Sequence, residues 1–191
     1  AVAVAGSMGL WNIGAEGQLY LGAMAAVTVG TGWIDAPAIV LVPLIVMAGA
    51  SAGAAGMVAP AYLKTRFGAD EVVTTLLLNF VILIFVQMML EGALKDPMSL
   101  GWPQSKPILD QGMLPPLADR LRIHSGLILA LVVAAIAHVM LGRSVWGFKL
   151  RAVGENAAAA RHAGIGVNRS LIGVAVISGG LAGLAGVSEV A

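Results

Sequence analysis

No cysteine occurs in the 191 residues, which excludes disulfides and thiolate metal sites. Charge is scarce as well: 11% of residues are Asp, Glu, Lys or Arg, against about 25% in a soluble domain. So few charges cannot coat a globule in water, and they point to lipid as the solvent for much of the surface. Aromatic residues are only 5% of the chain while glycine occurs 25 times, a balance that suits transmembrane helices approaching closely through small residues. The formal net charge of +1 gives no sign of nucleic-acid binding. No basic segment precedes the first apolar run, so 1–10 is not read as a signal peptide. The chain opens inside that run and closes inside another, 170–191, and we expect it to be cropped at both ends.

What is present is long apolar sequence. Charge-free windows cover 17–34, 36–63, 72–90, 123–142 and 170–188. At about 1.5 Å per residue, roughly 20 residues cross a hydrocarbon core of about 30 Å. Each window is long enough, although Pro37, Pro43 and Pro60 are expected to break the second. The expected fold is all-α: a polytopic membrane protein with about five transmembrane helices and a partial N-terminal one. Basic residues orient it. Lys64, Arg66, Arg143, Lys149, Arg151, Arg161 and Arg169 fall in two loops that share a side if every window spans. The opposite side carries Lys95, Lys106, Arg120 and Arg122, balanced by Glu91, Asp96, Asp110 and Asp119. The first side is therefore expected to face the cytoplasm. Trp33, Trp102 and Trp146 sit near span ends, where indoles favour the membrane–water interface. The long outer loop carries Pro97, Pro103, Pro107, Pro115 and Pro116 and reads either as a solvated connector or as a surface for an external partner.

Two polar stretches stand out. The first, Asn12-Ile13-Gly14-Ala15-Glu16-Gly17-Gln18, lies between two apolar runs. If both are in the membrane, Asn12, Glu16 and Gln18 lie at depth, at a helix break. Such breaks survive where protein or water covers them, and transporters use them to present polar groups to substrate. The alternative places the stretch at the interface, beginning a helix. Asn79, in the middle of an apolar window, either bonds a neighbouring helix or lines a pathway. The second stretch runs through Gly154, Glu155 and Asn156 to Ala159, Ala160, Arg161 and Gly164. Asn156 is a good N-cap, four alanines favour helix, and Gly164 can end it. A helix of about two turns is too short to stand alone, so it either docks against something or is a solvated connecting turn. Gly179, Gly180, Gly183 and Gly186 form a small-residue face suited to helix packing. The three histidines lack metal-ligand spacing, and no Gly-Lys-Ser/Thr phosphate loop follows Gly154.

The string NIGAEGQLYLGAMAA, with EVVTTLLLNF at 71–80, RAVGENAAAARHAGIGVNR at 151–169 and SGGLAGLAGVSEV at 178–190, resembles permease subunits of bacterial ABC importers. The similarity is to the branched-chain amino acid, ribose and nucleoside superfamily, nearest its nucleoside or simple-sugar branch, and the motifs occur in order over nearly the whole chain. The resemblance implies one partial transmembrane permease domain, 1–191, in the bacterial inner membrane, forming the pathway for a nucleoside or simple sugar. It implies a second permease subunit, identical or homologous, cytoplasmic ATPase subunits and an external solute-binding protein as partners, with lipid around them and no cofactor. ATP hydrolysis would belong to the ATPase chain. The helix at 156–163 would be the coupling helix, with Gly154, Glu155, Asn156, Ala159, Ala160 and Gly164 in the coupling segment. Asn12, Glu16, Gln18 and Asn79 are the candidate pathway residues. An ion-coupled secondary transporter, with Glu16 as the acidic residue at depth, and an intramembrane enzyme, resting on the adjacent Asp70 and Glu71, are the alternatives.

Overall fold

Backbone N–H and C=O groups find no water in hydrocarbon, so an apolar segment there must pair them internally, as a helix. The computed structural model describes residues 1–32, 36–115 and 125–191 and follows that rule. The α-helices are α1 (Val2–Gly6), α2 (Ala15–Gly30), α3 (Ala38–Phe67), α4 (Glu71–Glu91), α5 (Gly126–Arg143), α6 (Val145–Glu155), α7 (Ala157–His162) and α8 (Val167–Val190). Four of them, α3, α4, α5 and α8, are long and apolar enough to cross a membrane. The chain is an all-α, multi-pass membrane protein.

Two expectations change. The window 17–34 yields only the 16-residue α2, which rises about 24 Å. It gives way to a turn in which Gly32 adopts φ +101°. Trp33, Ile34 and Asp35, like 116–124 with Arg120, Arg122 and His124, lie outside the described residues. The second window is not broken at Pro43 or Pro60, because α3 runs through both for 30 residues. A proline costs a helix one hydrogen bond, but packed neighbours hold a membrane helix together across it. Pro60 is buried, and only the extended Pro37 acts as a boundary.

The centre is a glycine seam. Gly22 of α2 lies against Gly183 of α8, and Gly53 of α3 lies against Gly179 and Gly183. A Cβ at any of these positions would run into the opposing backbone, so these three helices meet main chain to main chain. The glycine face of α8 is thus a packing face. α4 packs on α2 and α3, and α5 leans chiefly on α6.

The bundle has two poles. At one, Met57 and Ala61 of α3 share a cluster with Val4, Met8, Leu150, Val153, Ala160 and Val167. Lys64, in the last turn of α3, and Arg161, in the last turn of α7, therefore lie at one end, as the basic-residue pattern requires. Here Gly68, at φ +68°, closes α3 by donating to the Lys64 carbonyl, and Asp70 Oδ1 caps α4 by accepting from Val72 N and Val73 N. Lys64 pairs with Glu71 across this turn. At the other pole Ala26, Leu41, Ile45 and Val187 enclose Ile108, while Leu109 N–H donates to the Gly30 carbonyl. The long loop is thus in part a plug over helix ends, while Trp102 is exposed.

Candidate functional site: a polar break at mid-membrane depth

Between α1 and α2 the chain leaves helical geometry, turning at Gly9 with φ +72°. The break covers 7–14, so Asn12 lies within it while Glu16 and Gln18 occupy the first turn of α2. Asn12 and Gln18 are both buried and face each other. Asn12 Nδ2 donates to Gln18 Oε1 at 2.8 Å, and Gln18 Nε2 donates to Asn12 Oδ1 at 3.1 Å. The remaining amide hydrogens reach Ser178 Oγ of α8 and Met57 Sδ of α3, each at 3.3 Å. Burying two primary amides is costly unless they are bonded, and this reciprocal pair meets that need.

The opposite side of the break is fastened to α4. Ile13 N–H donates to Thr75 Oγ1 at 3.3 Å, and that hydroxyl donates to the Glu71 carbonyl at 2.7 Å. Gly17 N–H, one of the amides a helix start leaves without an internal partner, donates to Asn79 Oδ1 at 2.5 Å. Asn79 Nδ2 faces Glu16 Oε2 at 3.5 Å. Close approach is what the glycines permit: a Cβ on Gly14 would lie 2.7 Å from the Thr75 carbonyl oxygen, and one on Gly17 would lie 2.7 Å from Asn79 Oδ1.

Depth follows from helix rise. Asn79 is eight residues into α4 and Ser178 eleven into α8, about 12 Å and 16 Å from the Lys64 end. In a core of about 30 Å the polar cluster sits near the middle. Asn12 and Gln18 turn inward, but Glu16 is exposed on the α2–α4 flank, and Trp11, Ile13 and Tyr20 are exposed as well. A carboxylate at that depth cannot rest against acyl chains without large cost, so this flank calls for protein or water against it. The structure thus joins Asn12 to Gln18 and Glu16 to Asn79, as two clusters on opposite sides of one break. Thr75 and Ser178 were not singled out by sequence reasoning. Thr75 carried a usable signal, one turn before Asn79 on the same helix face, whereas Ser178 lies 166 residues from its partner.

The second candidate segment is two helices, not one helix in a loop. α6 buries Gly147, Leu150 and Val153, one face at a spacing of three. Gly154 ends that contact at close range, where a Cβ would lie 2.9 Å from the Ser7 carbonyl oxygen. Asn156 then breaks the helix with extended φ −157° and caps α7, its Oδ1 accepting from Ala158 N and Ala159 N at 3.0 Å each. Gly164, at φ +81°, closes α7, with Ile165 N–H donating to the Ala160 carbonyl at 2.9 Å. Glu155, Asn156 and Ala157–159 are exposed, whereas Ala160 is buried in the bundle.

The family described as branched-chain amino acid transport system/permease component matches residues 2–191. The guanosine ABC transporter permease protein NupP of Bacillus subtilis is 39% identical over 99% of this chain and 54% of its own length. The glucose ABC transporter permease protein TsgB13 of Haloferax volcanii is 36% identical over 96% of this chain and 50% of its own. The nucleoside ABC transporter permease protein NupB of Lactococcus lactis is 32% identical over 97% of this chain and 53% of its own. The chain therefore spans about half the length of these curated relatives. No solved structure matches it.

Proposed function

We propose a function from one premise: this chain belongs to the branched-chain amino acid transport system permease component family. It is part of the membrane-spanning subunit of an ATP-driven importer in the plasma membrane, and its ligand is a nucleoside or a simple sugar. The printed names of the relatives, which include guanosine, nucleoside and glucose permeases, support that ligand class. A second permease subunit, cytoplasmic ATPase subunits and an external solute-binding protein complete the transporter. The chain itself carries no catalytic step.

The observation that carries the pathway assignment is Glu16, a carboxylate near mid-membrane on an exposed flank, with Asn79 beside it. In a complete transporter that flank borders the translocation pathway. Asn12 and Gln18 fix the shape of the break, the buried Asn79 holds Gly17 N–H and backs Glu16, and Glu16 presents its carboxylate to the passing ligand. At the cytoplasmic pole the exposed alanines of α7 let another protein surface approach the backbone closely, which supports α7 as the coupling helix.

The test uses the full-length permease reconstituted with its ATPase and binding protein. Glu16→Ala should lower uptake of labelled guanosine or glucose at least tenfold while subunit co-purification stays at the parental level, with Glu16→Gln intermediate. Undiminished uptake by Glu16→Ala would remove Glu16 from the pathway.

A further inference from the structure

Three cations meet in one groove at the Lys64 pole. A cavity of about 730 Å³ is lined by Trp146, Lys149, Arg161, Asn168, Arg169 and Ser170 together with residues 164–167. No carboxylate lines it. Among the described residues the ion pair at this pole joins Lys64 to Glu71, and Lys149, Arg161 and Arg169 make none. The three come from separate elements, α6, α7 and α8, so the fold and not local sequence gathers them. Like charges brought together without a counter-charge repel, and a groove of this kind calls for an anion.

Its position selects the anion. α5 ends at Arg143 and α8 begins at Val167, so the groove lies where two spans leave the hydrocarbon, at headgroup level. Trp146 in its wall suits that level, and the partly buried Ile165 supplies apolar surface beside the cations. Ala157–159, the surface proposed above to meet the ATPase, take no part in the lining. We propose that this groove binds the phosphate headgroup of an anionic phospholipid, held by Lys149, Arg161 and Arg169, with an acyl chain running along Trp146. Basic pockets between helices at the cytoplasmic face are suited to such headgroups. Because Arg161 belongs to α7, the bound lipid would brace that helix from the membrane side.

The test uses the full-length permease in lipid nanodiscs with Trp146 as its only tryptophan, every other tryptophan, Trp11, Trp33 and Trp102 among them, being replaced by Phe. Acyl-brominated phosphatidylglycerol should quench Trp146 at a far lower mole fraction than acyl-brominated phosphatidylcholine, and unbrominated phosphatidylglycerol should reverse it. Each neutralised cation weakens binding about fivefold, so Lys149→Gln with Arg161→Gln and Arg169→Gln should abolish the preference, a loss of about a hundredfold. Should that triple variant fail to fold, Lys149→Gln with Arg169→Gln should still cost more than tenfold. Equal quenching by the two lipids, or a preference that survives the substitutions, overturns the proposal. Reversal by millimolar inorganic phosphate would assign the groove to a soluble anion. A triple variant that keeps the lipid preference but loses ATPase co-purification would assign it to protein docking.

Discussion

Asn12 and Gln18 exchange two hydrogen bonds through their side-chain amides, six residues apart across the start of α2. Either residue alone would be a buried polar group in search of a partner. Together they fix the angle at which the chain enters the helix.

That reciprocity predicts non-additive substitution. Gln18→Leu leaves the Asn12 amide buried with a lost partner and should destabilise the protein by about 1–3 kcal/mol. Asn12→Leu alone should do the same, and the double variant should recover part of the loss. A coupling energy of about 0.5 kcal/mol or more in thermal unfolding of the detergent-purified protein is the expected result. Strict additivity would mean that the pair does not act as a unit.

Gly17 predicts a rescue. Gly17→Ala drives a methyl toward Asn79 Oδ1 and should cost about 1–3 kcal/mol through overpacking. Adding Asn79→Ala removes the obstructing amide and should return part of that stability, although Gly17 N–H then loses its acceptor. Melting temperatures of the two variants compare the effects directly.

At α7, Asn156→Ala removes a side-chain cap worth about 1 kcal/mol, enough to fray a helix of six residues. Co-purification of the ATPase should fall in Asn156→Ala and persist in Asn156→Asp, which can still cap. Ala159→Trp should also reduce co-purification, because position 159 is exposed. Ala160→Trp should lower folded yield instead, because position 160 is buried.

Sidedness is open to direct labelling, since the chain has no cysteine of its own. Arg161→Cys should react with an impermeant maleimide only after the membrane is opened, and Met98→Cys should react from outside in intact spheroplasts. Labelling of position 161 from outside would invert the orientation.

Much of the fold was legible because lipid makes hydropathy a one-dimensional signal. Charges at Glu71, Glu91, Arg143 and Arg169 bracket spans whose helices end within a few residues of them. The cap at Asn156 and the stop at Gly164 were also legible, since each acts on its immediate neighbours. Pro43 and Pro60 misled because their cost is offset by packing that sequence does not display. α6 went unread inside a basic loop, although Gly147, Leu150 and Val153 mark its buried face. The polar break itself was visible, but its partition was not. Whether Glu16 or Gln18 turns inward depends on the rotation of α2, which α3, α4 and α8 decide together.

The glycine seam has a consequence for movement. Where Gly22, Gly53, Gly179 and Gly183 meet, no side chains lie between the main chains of α2, α3 and α8. Surfaces joined that way have no rotamers to exchange and no slack to absorb a slide. The three helices must travel as one rigid block. On the pathway proposed for Glu16, an opening beside it would fall to α4, whose hold on the break rests on the Thr75 and Asn79 side chains.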